Sequence, residues 1–148
     1  MSSIPRPEGH HSITAGCIVH KSAEVLKFLQ DAFDGAVVDR YDMPDGSIMH
    51  AEVMVGDSVV MLGEPMGGME PMPGCLTYYV DNGDLVDVVY QKALECGATS
   101  ESEPKNQFYG YRSAVVRDVG GNRWTISAVV EALTREEMHR RSEAMFQS

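Results

Sequence analysis

GDSVVMLGE (residues 56–64) and GGNRWTISA (residues 120–128) each open on a glycine-bearing turn and run into an apolar stretch of strand character. Their surroundings match as well. FLQDAFDGA (28–36) lies over YQKALECGA (90–98), both ending helix–Gly–Ala before a strand. Two such helix ends in the same order of elements, about sixty residues apart, predict an internal duplication.

Working outward, ITAGCIV (13–19) reads as a short buried strand. Lys21 to Phe33 places Val25, Leu26, Phe28, Leu29, Ala32 and Phe33 at helical spacing, with Ser22 as N-cap and Gly35 as stop. AVVDRYDM (36–43), HAEVMV (50–55) and SVVML (58–62) are strands, and the Asp-Gly of MPDGSI (43–48) marks a hairpin. EPMGGMEPMPG (64–74) has no periodicity and is a linker, or a methionine-rich cover over a neighbouring hollow. The order then restarts. LTYYV (76–80) is a strand, and Asp84 to Cys96 a helix with Leu85, Val88, Val89, Ala93 and Leu94 inward. ATSESE (98–103) is a weak edge strand stopped by Pro104, and YRSAVVR (111–117) and RWTISAV (123–129) complete the set. Thr134 and Glu137 form a capping box for a terminal helix with Met138, Arg141 and Met145 on one stripe. The expectation is an α+β fold of paired βαβββ modules in one domain: module one about 12–63, linker 64–74, module two about 75–130, terminal helix about 134–146.

A formal net charge of −10 argues against nucleic-acid and anionic-membrane partners, which need a basic face. No apolar run reaches a membrane span and MSSIPRPEGHH lacks a signal core, so a cytoplasmic protein is expected. Cys17, Cys75 and Cys96 have neither the number nor the spacing for a disulfide framework or a structural zinc.

The duplicated module, DGSIMHAEVMVGDSVVMLGE and QFYGYRSAVVRDVGGNRW together resemble the vicinal oxygen chelate superfamily, the glyoxalase/bleomycin-resistance fold, and within it the PhnB-like branch. The resemblance runs from about Ile13 to Val129. It implies a cavity inside curled sheets, a homodimer, and, in the enzymes, a divalent metal bound by His or Gln and Glu from strands one and four of each module. Those positions fall here on Thr14, Val60, Cys75 and Thr125, with nothing better beside them. Thr is a poor ligand and Val none, so the family metal centre is expected to be lost and no cofactor is required.

Alternation supplies the cavity wall. If Ala51, Val53 and Val55 face the helices, His50, Glu52 and Met54 face the hollow. The same logic sends Thr14, Gly16 and Ile18 there, with Val60 and Leu62, Thr77 and Tyr79, and Arg123, Thr125 and Ser127, while Trp124 goes to the core. His50 and Glu52 sit ~7 Å apart on one strand face. They read as an acid–base pair or remnant two-ligand metal site, or as a structural pair satisfying a half-exposed face. His10, His11 and His20 read as surface residues. Phe108, Tyr109 and Tyr111 around a glycine suit a loop that stacks on a planar ligand, with Arg112 for a carboxylate or phosphate, or else they cover a strand edge.

Two functions stand against each other. One is metal-independent binding or sequestration of a small molecule through Thr14, His50, Glu52, Thr77, Tyr79, Phe108, Tyr109, Tyr111, Arg112 and Thr125. The other is a divalent-metal-dependent lyase, isomerase or dioxygenase using His50 and Glu52.

Overall fold

The computed structural model describes residues 6–147. Two mixed sheets follow one another along the chain. The first holds β1 (Ala15–Ile18), β2 (Ala36–Asp42), β3 (Ile48–Val55) and β4 (Ser58–Gly63) in the order β1-β4-β3-β2, with α1 (Ser22–Phe33) crossing between β1 and β2. The second repeats it with β5 (Cys75–Tyr79), α2 (Gly83–Glu95), β6 (Thr99–Asn106), β7 (Tyr111–Arg117) and β8 (Arg123–Val129), in the order β5-β8-β7-β6. In each sheet the first strand pairs parallel with the fourth and the other pairings are antiparallel. A terminal helix, α3 (Arg135–Ala144), follows, so the α+β architecture of paired βαβββ modules is as expected.

One buried cluster takes residues from both halves. Phe33, at the end of α1, lies 4.8 Å from the Tyr78 ring and 5.1 Å from that of Trp124, both in the second half. Gly120 closes the join from the other side. A Cβ there would come within 2.7 Å of Val25 Cγ2 and 2.9 Å of Val19 Cγ2, so only glycine lets the β7–β8 turn seat against the first module. That turn is built on Asp118, buried with Asn122. One Asp118 oxygen accepts from the Gly120 and Asn122 amides, the other from Asn122 Nδ2 and Trp124 Nε1.

Several local expectations need correction. The N-cap of α1 is Lys21, in the left-handed region at φ 60°, and Ser22 is the first helical residue. Ser22 N and Oγ both donate to Glu64 Oε1 at 3.0 Å, so a carboxylate from the end of β4 serves the helix start. On α2 the buried residues are Val86, Tyr90 and Ala93, while Val88 is 58% exposed. Strand β6 does not stop at Pro104 but runs to Asn106. It is an edge strand with irregular register between Ser102 and Lys105, where a missing amide donor costs no ladder bond.

Candidate functional site

The hairpin turn at Gly56–Asp57 fixes which side chains of β4 reach the hollow. It pairs Val55 with Ser58, so Val60 lies opposite Val53, Leu62 opposite Ala51, and Met61 opposite Glu52. Opposed residues share a face. Val60 and Leu62, expected on the hollow face, therefore join the buried helix side, and Val59 and Met61 take the hollow face instead. Thr14, Gly16 and Ile18 stay on the hollow side, because Gly16 pairs with Met61.

His50 and Glu52 stand where alternation put them, with His50 Nε2 3.0 Å from Glu52 Oε2. The second Glu52 oxygen is taken by His10, whose Nε2 lies 2.6 Å from Oε1 and whose Nδ1 lies 3.1 Å from Thr14 Oγ1. His10 is thus no surface residue. Its side chain is 8% exposed. The segment before β1 folds across the hollow face, close enough that a Cβ on Gly9 would meet Met54 Cε at 2.8 Å. Hydrogen bonds from His50 and then His10 hold the Glu52 carboxyl below its ordinary value, against the opposing effect of burial. The Tyr41 ring stacks on His50 at 6.4 Å. His11 and His20 are exposed as expected.

The second sheet presents a different face. Thr77 pairs with Thr125 and Tyr79 with Ser127, and across β7 Ser113 and Ser127 share a buried hydroxyl bond of 2.8 Å. Arg123 shares Glu101 with Arg117 and is not free for a ligand. Phe108, Tyr109, Tyr111 and Tyr79 form an edge-to-face chain with centroid separations of 5.0, 5.2 and 6.2 Å, ending at Tyr79, which is 60% exposed. Arg112 is a correction. It lies opposite Ala128 on the helix side and grips Asp87 of α2 with two bonds of 2.8 and 3.0 Å, so it does not face the hollow.

Two clefts result. The larger, about 820 Å³, opens between the edges of β1 and β5 and is lined by Thr14, Gly16, Cys75, Thr77 and Tyr79 among others. The smaller, about 480 Å³, lies beneath the 64–72 segment with His50 on its wall. Of the sequence-nominated residues, Thr14, Thr77 and Tyr79 share the first cleft and His50 lines the second. Glu52 stands between His10 and His50, and Thr125 lies beside Thr77. His10 went unrecognised because a histidine 42 residues from its carboxylate partner carries no periodic signal.

The family's metal positions can be checked against these faces. Strands one and four offer Thr14, Gly16, Val59 and Met61 from one module and Cys75, Thr77, Arg123 and Thr125 from the other. That is not a ligand set for a hard or borderline divalent ion. Among the described residues, no group of three or more His, Cys, Asp or Glu is placed to hold one.

The Glyoxalase/Bleomycin resistance protein/Dioxygenase superfamily matches residues 12–126. The chain belongs to that superfamily. Uncharacterized proteins of Mycobacterium bovis and Mycobacterium tuberculosis are each 30% identical over 130 residues, covering 82% of this chain and 85% and 76% of theirs. Among solved structures, a glyoxalase/bleomycin resistance protein/dioxygenase family enzyme from Burkholderia phytofirmans shares 19% identity over 78% of this chain and 96% of its own, with a TM-score of 0.64. TioX from a Micromonospora species shares 20% over 84% and 100%, at 0.62. The fosfomycin resistance protein FosX of Listeria monocytogenes shares 15% over 86% and 97%, at 0.63. These likenesses concern the fold.

Proposed function

We propose that this vicinal oxygen chelate protein binds and sequesters a small organic molecule without using the superfamily's metal centre. The observation that carries the reading is the cleft of about 820 Å³ between β1 and β5, where the positions expected to ligate a metal present Thr14 and Cys75 beside Thr77 and Tyr79. Such a wall offers hydroxyls for orientation and an exposed phenol ring for stacking, the mix that small-molecule sites use. The aromatic chain behind Tyr79 holds its ring in place from one side.

The same reading places the chain in the PhnB-like branch, as a cytoplasmic homodimer. Ile13, at 91% exposure on the edge bordering the cleft, is apolar surface that a second copy would cover. A thermal-shift screen of planar aromatic and α-keto compounds, with and without Mn, Fe, Ni or Zn, tests it. A ligand at a hundred times its Kd should raise Tm by about 5–10 °C without added metal. Replacing Tyr79 by Ala should remove the shift. The competing enzyme reading is favoured by His10, which brings a second imidazole to Glu52. A stoichiometric divalent ion that survives dialysis and disappears with His50→Ala would decide for it.

A further inference from the structure

The segment MLGEPMGGMEPM (61–72) sets four methionines at short intervals, and the fold gathers them. Gly67 and Gly68 have φ of 60° and 79°, and the Met69 amide donates to the Met66 carbonyl at 3.1 Å. Two successive positive φ values with that bond describe a type I′ turn, which leaves the flanking side chains side by side on one face. Met72 is fixed separately. It exchanges two backbone bonds with Ile18, of 2.7 and 3.0 Å, and so runs along the free edge of β1. Met61 rises from the hollow face of β4 and Met49 comes from β3. All five thioethers and the His50 imidazole line the same cleft of about 480 Å³.

These are not core methionines. Met49, Met66, Met69 and Met72 are between 44% and 54% exposed. Thioether sulfur is a soft, uncharged donor that discriminates against Mg, Ca and Zn and in favour of monovalent copper, and imidazole completes such a set. Three flexible bonds per methionine let the sulfurs turn inward around an ion. The Glu64 carboxylate on the same wall, in a protein of net charge −10, adds attraction for a cation.

We propose that this cleft is a soft-cation site, binding one Cu(I), or Ag(I) as its analogue, through the thioethers of Met61, Met66, Met69 and Met72 with His50. It is a second site, separate from the organic-ligand cleft between β1 and β5, and neither proposal depends on the other. Cys75 and Cys96 are free thiols away from this cleft that would bind the same ions, so the test starts from the Cys75→Ser/Cys96→Ser protein. Cys17 also borders this cleft, buried and paired with Leu62, and burial pushes its thiol up to about 11. Adding Cys17→Ala should leave Cu(I) affinity unchanged, and loss of binding in that variant overturns the thioether assignment.

Cu(I) is titrated anaerobically against a coloured chelator, with Zn(II) as comparison. One Cu(I) per chain and no competing Zn(II) is the expected result. Adding Met66→Leu and Met69→Leu, which keep apolar bulk on an exposed turn, should weaken Cu(I) at least about tenfold, the scale that even indirect ligand losses reach. Tm should be unchanged without copper. The absence of stoichiometric Cu(I) binding overturns the proposal, as does equal affinity in the leucine variant. Loss of binding of the apolar dye ANS in that variant, with Cu(I) affinity intact, makes the cleft an ordinary apolar pocket and also refutes it.

Discussion

The two modules share a scaffold and differ in what they aim inward. Val19 N donating to Gly63 O and Val80 N donating to Ser127 O mark the same point in each sheet. Counting back two residues sets Met61 against Thr125, and the cross-strand pairs then set Glu52 against Val115 and His50 against Ser113. The helix-facing residues stay apolar at matched points, Ala51 with Ala114 and Leu62 with Ile126. The hollow faces have parted: one carries His10, Glu52, His50 and methionines, the other hydroxyls and aromatic rings. Duplication constrains the side that packs, because every methylene there is felt, and leaves the other side free to acquire chemistry. What joins the halves is a different matter, and there the largest effects are expected.

Phe33 reaches from the first module into the aromatic floor of the second. Phe33→Ala should cost about 3–5 kcal/mol in urea unfolding, and both halves should still melt in one transition. Two separated transitions would mean that the modules are independent and the shared cluster incidental. The hairpin turns give the next contrast. Asp118 satisfies four donors in the β7–β8 turn, three of them buried, whereas Asp57 in the equivalent Gly56–Asp57 turn is exposed. Asp118→Ala should cost roughly 3 kcal/mol or more by leaving those donors unpaired, and Asp57→Ala under about 0.5 kcal/mol. Similar losses at both sites would remove the distinction.

The helix starts differ on a smaller scale. Asn82 caps α2 in the usual way, its side chain accepting from the Leu85 amide at 3.0 Å, so Asn82→Ala should cost about 1 kcal/mol. Helix α1 borrows its acceptor from Glu64, 42 residues away. Lys21→Asn should bring little of that gain, because the Glu24 amide that a cap side chain would take already donates to the Lys21 carbonyl at 3.0 Å. Chemical denaturation of both variants measures the pair.

Much of this was legible in the chain. The helix–Gly–Ala endings and alternating HAEVMV set the modules and placed His50 and Glu52 on the correct face. The error at Val60 and Leu62 arose because SVVML is apolar on both faces, so periodicity gives it no phase. The phase was nonetheless available: with Val53 facing the helices, a two-residue turn at 56–57 puts Val60 opposite it. Arg112 follows the same rule through the buried Ala128 it opposes. His10 has no comparable signal, since a tail that folds back over a sheet is held by contacts distant in sequence. Ser22 failed for a related reason, its acceptor being Glu64, 42 residues on and just past β4.

The Glu52 cluster yields the smallest and most specific contrast, because its effect depends on pH while its counterpart Val115 has nothing to titrate. The His50 and His10 bonds depress the Glu52 carboxyl in the folded protein relative to its ordinary 4.5. A depressed acid contributes stability that is complete above about 4.5 and is lost as pH falls through the lower folded value. Partial exposure of His50 keeps the contribution under about 1 kcal/mol. Glu52→Gln should therefore lower stability most at neutral pH and converge on the parent protein as pH falls through the lowered Glu52 value, whereas Val115→Thr should shift it by the same amount at every pH. His10→Ala should reproduce part of the Glu52→Gln profile, because it removes one of the two depressing bonds. A flat difference across that range for both Glu52→Gln and His10→Ala would mean that the imidazoles do not bind the carboxylate, and the hollow of the first module would be as uncharged in effect as that of the second.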